Sequence, residues 1–259
     1  MSRADWEALG ERPKPSWYLD DIVARQKRDV HLDLIRRWWD HPGAGRILKT
    51  DLFEEAFGED RIMPGILPLA QFVCGIDESF STTRAASLGV ARGRAIVSDV
   101  RQAALRTEAF DLVISTSTLD HFADPGDFTR SIQEIHRMIR PGGLLILTLD
   151  NPSNPLYPPL RLLGRTRFGP FYLGYTPSMR TLKRILREAG FEVEQTGWLL
   201  HNPRLISTAG FLLLRRIFGR RAEAPITFLL RCFALMGKLP TRRWTACFQA
   251  VSARKPARP

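Results

Sequence analysis

The sequence predicts an α/β fold in which helices cover both faces of a mainly parallel β-sheet. Short apolar runs alternate with segments of helical periodicity along most of the 259 residues. Strands that alternate with helices in this way form parallel sheets with right-handed crossovers. Residues 144–149 show no polar alternation, which is typical of a strand that is buried on both faces.

Seven strands are predicted from the apolar runs and the turn residues that bound them. They cover residues 46–51, 67–77, 95–100, 110–115, 144–149, 191–200 and 246–254. Helices are predicted over 17–39 (one or two segments), over 79–88, and from 176 to 190. A further helix begins at Asp124 and Pro125, an N-cap and a first-position proline, and ends at an Arg-Pro-Gly-Gly turn, residues 140–143.

The composition indicates a chain that buries a core. The hydrophobic fraction is 44% and the charged fraction is 25%, as expected for a globular protein. The three cysteines form no paired motif, which argues against a metal or disulfide framework and favours a reducing compartment. The N-terminal residues contain no apolar signal segment, so we predict a cytoplasmic location.

We divide the chain into four segments of a single domain. Residues 1–45 are predicted to be a helical cap, 46–200 the α/β core, 201–241 an apolar and basic helical insertion, and 242–259 an antiparallel last strand with a disordered basic tail. The net charge of +11 is concentrated in residues 204–221 and after 242. A basic surface attracts nucleic acid, but its mixture with long apolar side chains suits an anionic membrane at least as well.

Polar side chains follow four of the predicted strands, at Asp51, Asp77, Asp99 and Ser115. In a parallel sheet these strand ends meet at one edge, which is where open α/β sheets bind their ligands. Asp77 is placed to accept hydrogen bonds from ribose hydroxyls, and Asp99 from an adenine amino group. The alternative for each acid is that it caps the following helix or turn.

The first loop, LKTDLFEEAFG, argues against a phosphate ligand at this edge. The sequence contains neither a P-loop nor a GxGxxG motif. The loop is acidic and would repel a pyrophosphate. A ligand that combines ribose and adenine with positive charge fits it better.

Residues 98–151 contain, in order, an acid after the third strand, FDLV, LDHF, a helix, and RPGG before a strand. This pattern resembles the class I S-adenosylmethionine-dependent methyltransferase family, in its small-molecule, type 11-like branch. VCGIDESF and TPSMRTLKRILREAGFEVE are similar to that family's second strand and to its late helix with the sixth strand. The resemblance covers about residues 46–200 and the last strand. It implies a Rossmann-like, mainly parallel seven-stranded sheet and S-adenosylmethionine as cofactor.

The first loop departs from that family. The family's loop is close to DxGxGxG, because glycines let the backbone approach the methionine part of the cofactor. Here the stretch is KTDLFEEAFG, and we expect Asp51 or Glu54 to hold the cofactor's ammonium group instead. The alternative is a degenerate site that no longer methylates. The predicted cofactor-binding residues are Asp51, Asp77, Glu78, Asp99, Val100, Ser115 and Thr116.

Methyl transfer is an in-line displacement, so the protein must chiefly align donor and acceptor and exclude water. A general base is optional, and the candidates are Asp120 and His121. Tyr157, Tyr172 and Tyr175 lie in or near the loop after the fifth strand and are candidate substrate contacts. The alternative for His121 and for each tyrosine is ordinary packing.

The insertion at 204–239 contains two apolar stretches, and neither reaches the roughly 20 apolar residues that span a bilayer. It is predicted either to pack over the sheet edge or to form a helical hairpin that contacts anionic lipid. We predict methyl transfer to a small-molecule or lipid-like acceptor. The alternative is a non-catalytic accessory protein. Nucleic-acid modification is disfavoured, because no NPPY or DPPY motif is present and NPSNPLY follows the wrong strand.

Overall fold

The computed structural model describes residues 7–8, 11, 21–39, 45–164 and 173–258. Its centre is one seven-stranded sheet, formed by β1 (Arg46–Lys49), β2 (Phe72–Asp77), β3 (Ala95–Val97), β4 (Phe110–Thr116), β5 (Ile139–Asp150), β6 (Glu192–Leu199) and β7 (Phe248–Arg254). The strand order is β3-β2-β1-β4-β5-β7-β6. The pairs among β1 to β5 are parallel, and β7 runs antiparallel to both β5 and β6. The predicted mainly parallel sheet with an antiparallel last strand is confirmed.

Helices cover both faces of this sheet, as predicted. They are α1 (Asp21–Trp38), α2 (Phe53–Phe57), α3 (Met63–Ile66), α4 (Phe80–Leu88), α5 (Pro125–Met138), α6 (Tyr157–Gly164), α7 (Met179–Glu188), α8 (Arg204–Phe218), α9 (Glu223–Leu235) and α10 (Arg242–Thr245). Alternate residues of β4 face opposite sides of the sheet and belong to two different hydrophobic cores. Val113 packs with Phe128 of α5 and Leu186 of α7. Leu112 and Ile114 belong to the core that contains α1. Burial on both faces explains the apolar runs in the sequence.

The Pro-Gly-Gly segment, residues 141–143, lies inside β5, which corrects the prediction of a turn before the strand. Helix α5 ends at Met138, and β5 begins at the next residue. The pairing of β4 with β5 shifts between Phe110 and Leu112, so the segment is accommodated as an irregularity in the ladder. Gly142 has a φ of 78° and its amide donates to the carbonyl of Lys255. A chain segment distant in sequence therefore keeps these residues in the sheet.

Other segments also differ from the prediction. Strand β1 ends at Lys49 rather than at residue 51, and β3 ends at Val97 rather than at residue 100. Residues Leu67–Leu69 form a 3-10 turn, and only Phe72–Asp77 joins the sheet. Helix α7 begins at Met179, because the Ser178 side chain accepts the amide of Thr181 as its N-cap. The tail is ordered through residue 258 rather than disordered, since the Lys255 ammonium donates to two carbonyls at 3.0 Å and Arg258 pairs with Glu108.

Helices α8 and α9 form the predicted insertion and pack on α1. Their inner side chains Phe211, Ile226 and Leu230 form a small buried cluster with Val23. Arg215 of α8 also pairs with Asp21 at the start of α1. Among the described residues, no helix combines the length and the apolar character needed to cross a bilayer.

Candidate active site

A cleft of about 440 Å³, including its open mouth, lies at the carboxyl ends of β1, β2 and β3 and in the loop after β4. Strand β1 lies between β2 and β4 in the sheet. The chain therefore adds β2 and β3 on one side of β1, and β4 and β5 on the other side. Open α/β sheets bind ligands at this switch point. The residues that line the cleft are Thr50, Asp51, Phe53, Asp77, Glu78, Ser98, Asp99, Val100, Thr118 and Phe122.

The structure brings most of the predicted cofactor residues together. The lining includes Asp51, Asp77, Glu78, Asp99 and Val100. It does not include the other two predicted residues, Ser115 and Thr116, because β4 continues through residue 116. Ser115 is fully buried within the strand, and Thr118 contributes to the lining instead.

Asp77 is held by backbone hydrogen bonds from two loops of the cleft. One of its oxygens accepts the amide of Ser79 at 2.9 Å, and the other accepts the amide of Leu52 at 3.1 Å. Burial, followed by the neighbouring Asp51 carboxylate, raises the pKa of Asp77 to about 7. Two carboxylates this close favour a cationic ligand, because a positive charge relieves their mutual repulsion.

The first loop adopts its conformation without glycine at the positions where the resembled family has it. Asp51 accepts the amide of Phe53, the first residue of α2, at 2.6 Å. The fully buried Leu52 side chain lies over Gly75 of β2. A Cβ atom added at Gly75 would lie 2.4 Å from a Leu52 methyl carbon. The glycine that this loop requires is therefore on the neighbouring strand.

A buried ion pair between Lys49 and Glu55 stabilises the same loop. The sequence analysis did not predict this pair. The Lys49 side chain is 2% exposed, and its ammonium donates to the carbonyl of Asp51. It also lies 3.6 Å from the Glu55 carboxylate, whose side chain is fully buried. Glu55 accepts the amides of Ile62 and Met63 at 3.1 and 3.2 Å. Lys49 therefore joins the first loop to the start of α3.

The two candidates for an ammonium contact, Asp51 and Glu54, differ in position. Asp51 lines the cleft. Glu54 lies on α2 and is 3.6 Å from the Lys27 ammonium of α1. The structure thus gives Asp51 the shorter approach to a ligand in the cleft.

Arg101 organises the third-strand end of the cleft, and sequence reasoning missed it. Its Nε atom donates to both oxygens of Asp99 at 2.9 Å. Its terminal nitrogens reach Glu78 at 3.0 Å and Asp127 at 3.2 Å. Burial raises the pKa of Asp99, but the Arg101 hydrogen bonds outweigh it and hold that pKa below its usual value. The Asp-x-Arg spacing is the sequence signal that could have predicted this contact, because side chains two residues apart in a loop can hydrogen-bond to each other.

The two predicted catalytic residues lie outside the cleft lining, at the ends of β4 and β5. Asp120 is fully buried, and one of its oxygens accepts the amide of Asp150 at 2.7 Å. Burial, followed by the nearby Asp150 carboxylate, raises the pKa of Asp120 to about 6. Asp150 in turn pairs with Arg204, the first residue of α8, at 2.8 Å. His121 follows Asp120 in a 3-10 turn and is half-buried.

Two of the three predicted substrate tyrosines are described, and Tyr172 lies outside the described residues. The Tyr157 hydroxyl donates to Thr176 at 2.9 Å. The Tyr175 ring packs edge-on against Phe128, with centroids 5.9 Å apart. Both contacts are compatible with the packing alternative. Burial, and to a lesser extent the Asp150 and Asp120 carboxylates, raises the pKa of Tyr157.

Comparison with known proteins is consistent with this geometry. Residues 55–147 match the family model of the methyltransferase domain, so the match begins just after the loop that lacks glycines. A comparison with proteins of established function finds no match.

Solved structures share the fold. The chain is similar to the cyclase SpnF, with 18% identity over 98% of this chain and 92% of the other, at a TM-score of 0.58. It is similar to a Thermotoga maritima protein described as a possible histamine N-methyltransferase, with 16% identity, coverages of 90% and 91%, and a TM-score of 0.57. A Haloferax volcanii protein described as a methyltransferase, in complex with an activator, has 14% identity, coverages of 100% and 99%, and a TM-score of 0.63. Residues 55–147 thus match a methyltransferase domain, and the whole chain has the Rossmann-like fold of these solved structures. The matched family indicates S-adenosylmethionine as the cofactor.

Proposed function

We propose that this chain transfers a methyl group from S-adenosylmethionine to a small-molecule or lipid-like acceptor. The observation that carries the proposal is the Asp51–Asp77 carboxylate pair in the switch-point cleft. The carboxylates of the cleft suit this cofactor, because S-adenosylmethionine combines two positively charged groups with the hydrogen-bond donors of ribose and adenine. Asp77 would accept from the ribose hydroxyls, Asp51 would hold the ammonium group, and Asp99 would accept from the adenine amino group. When bound, the cofactor supplies a methyl group that its sulfonium activates.

The acidic pair at the ends of β4 and β5 supports an acceptor position beside this cleft. Asp120 has one carboxylate oxygen that accepts no hydrogen bond among the described residues. With a pKa of about 6, it can take a proton from an acceptor hydroxyl or amine near neutral pH. Asp150 and Arg204 hold the surrounding backbone and helix in place.

Two helices that begin near the Asp120–Asp150 pair carry exposed apolar side chains, and this favours an apolar acceptor. Tyr157 begins α6 and Arg204 begins α8. Leu162 and Ile206, close to those positions in sequence, are 68% and 66% exposed. A lipid-like acceptor could therefore reach the carboxylates along apolar side chains.

A turnover assay with methyl-labelled S-adenosylmethionine tests the proposal. We expect the wild-type chain to label small hydroxyl, amine or lipid acceptors. We expect Asp120→Asn to lower kcat by about a hundredfold while the Kd for S-adenosylmethionine stays unchanged. The matched variant His121→Gln should change kcat less, because Asp120 has the unpartnered buried oxygen. Absence of S-adenosylmethionine binding by the folded wild-type chain would instead establish the non-catalytic alternative.

Binding of S-adenosylmethionine should tighten as the pH rises. With the pKa of Asp77 at about 7, its ionised fraction increases about tenfold between roughly pH 6 and pH 8. Because the folded-state pKa is raised from about 4 to about 7, the ligand-free protein loses stability as the pH rises between those values, and a bound cation offsets that loss. Isothermal titration at several pH values measures the effect. An affinity that does not change with pH would contradict ionisation of Asp77 on binding.

A further inference from the structure

The insertion has an exposed apolar face, and the proposed acceptor route uses only its first residue, Ile206. In α8, Ile206, Leu213 and Ile217 are 66%, 57% and 61% exposed. Their spacing of seven and four residues places them on one side of the helix. Phe211, on the other side, is buried against α1. The outer side of α8 is therefore apolar although it faces solvent.

Helix α9 repeats this arrangement. Phe228 and Leu235, seven residues apart, are 66% and 57% exposed, and Cys232 between them is exposed as well. Ile226 and Leu230 face the opposite way and join the buried cluster on α1. Because both helices bury their inner sides in that one cluster, their apolar outer sides both point away from it. We call these five side chains the insertion surface: Ile206, Leu213, Ile217, Phe228 and Leu235.

Positive charge surrounds the insertion surface. Residues 204–239 contain six arginines and one lysine but a single acid, Glu223. Arg216, Arg220, Arg221 and Arg231 are exposed, whereas Glu223 lies 3.7 Å from Arg215. Exposed apolar side chains bordered by long basic ones are typical of helices that lie in the headgroup region of a membrane.

We infer that the insertion surface docks on the surface of an anionic lipid bilayer. The apolar side chains enter the acyl boundary, and the arginines contact the anionic headgroups. The charge favours lipid over a second copy of this chain, because two copies would bring the arginine clusters together. This inference goes beyond the proposed function and does not depend on methyl transfer.

Cys232 provides a direct test, because it is exposed and lies between Phe228 and Leu235 of the insertion surface. The other two cysteines, Cys74 and Cys247, are buried, and burial raises the pKa of each thiol to about 11. An environment-sensitive fluorophore will therefore label Cys232 selectively in the full chain. We expect a blue shift with vesicles of phosphatidylcholine and phosphatidylglycerol, and reversal of that shift by high salt. A control chain with Cys232→Ser and Leu88→Cys carries the label on α4, at a side chain 80% exposed, and should show no shift.

Sedimentation with the same vesicles measures the affinity. Arg216→Ala with Arg220→Ala should weaken binding about 25-fold, or about fivefold for each arginine. Leu213→Glu with Ile217→Glu should weaken it more than tenfold, and neither pair touches the catalytic cleft. Wild-type protein that stays in the supernatant with anionic vesicles would overturn the inference. So would a wild-type dimer that Leu213→Glu converts to a monomer, which would assign the surface to a second copy. Methyl transfer to a water-soluble acceptor should survive these variants, so a failure here is distinct from a failure of the proposed function.

Discussion

We expect Asp77→Ala to weaken the binding of S-adenosylmethionine by about a hundredfold or more. The Asp77 carboxylate is the proposed partner of the ribose hydroxyls, and hydrogen bonds to a charged group contribute about 1.5–3 kcal/mol each. The substitution also removes the acceptor for the amides of Leu52 and Ser79, so the first loop loses its link to β2. Isothermal titration of the folded variant measures the loss.

Asp124→Ala is the matched control for this variant. Asp124 also accepts a nearby amide, that of Gly126 at 2.8 Å, but it caps α5 and does not line the cleft. Its removal should lower stability by about 1 kcal/mol and leave the Kd unchanged. If Asp77→Ala is folded and binds S-adenosylmethionine as the wild type does, then Asp77 only caps the turn after β2. In that case the proposed cofactor site is wrong.

We expect Lys49→Met to lower the free energy of unfolding by about 3–5 kcal/mol. Methionine fills a similar volume, but the substitution leaves the Glu55 carboxylate buried without its cation. Breaking a buried pair from one side is costly because the remaining charge is uncompensated. Urea or guanidinium unfolding of the ligand-free chain measures the change.

The double variant Lys49→Met with Glu55→Gln separates charge from packing. The glutamine carbonyl can still accept the amides that Glu55 accepts, and no buried charge remains. Much of the lost stability should therefore return. Lys238→Met, at an exposed position, should stay within about 0.5 kcal/mol of the wild type. A loss below about 1 kcal/mol for Lys49→Met would show that the buried pair does not stabilise the loop.

The sequence predicted the sheet because its signals are local. Each buried strand is an apolar run, and Asp124 and Pro125 define the start of α5 without tertiary information. The acids of the cleft were predicted for the same reason, since Asp77 ends β2 and Asp99 lies two residues after the end of β3. Ser115 and Thr116 lie outside the lining because β4 continues through residue 116, and a sequence pattern places a strand end only to within a few residues.

The unpredicted features depend on residues that only the fold brings together. Lys49 is stable in the core because Glu55, on a different element, is also buried there. The Pro-Gly-Gly segment remains in β5 because Lys255, just after β7, exchanges backbone hydrogen bonds with Gly142 and Gly143. Arg101 interacts with carboxylates from three separate segments. Apart from the Asp-x-Arg spacing that links Arg101 to Asp99, local patterns carry no signal for these contacts.

The contact between Leu52 and Gly75 limits how the first loop can be changed. A leucine side chain occupies the room that a missing Cβ leaves on β2. Exchanging this loop alone for a glycine-rich one would remove that side chain and leave a void above β2, and core voids are destabilising. Any larger residue at position 75 would collide with the present loop. We therefore expect positions 52 and 75 to covary. In related sequences, a bulky residue in the first loop should accompany a glycine in the next strand, and the two should change together.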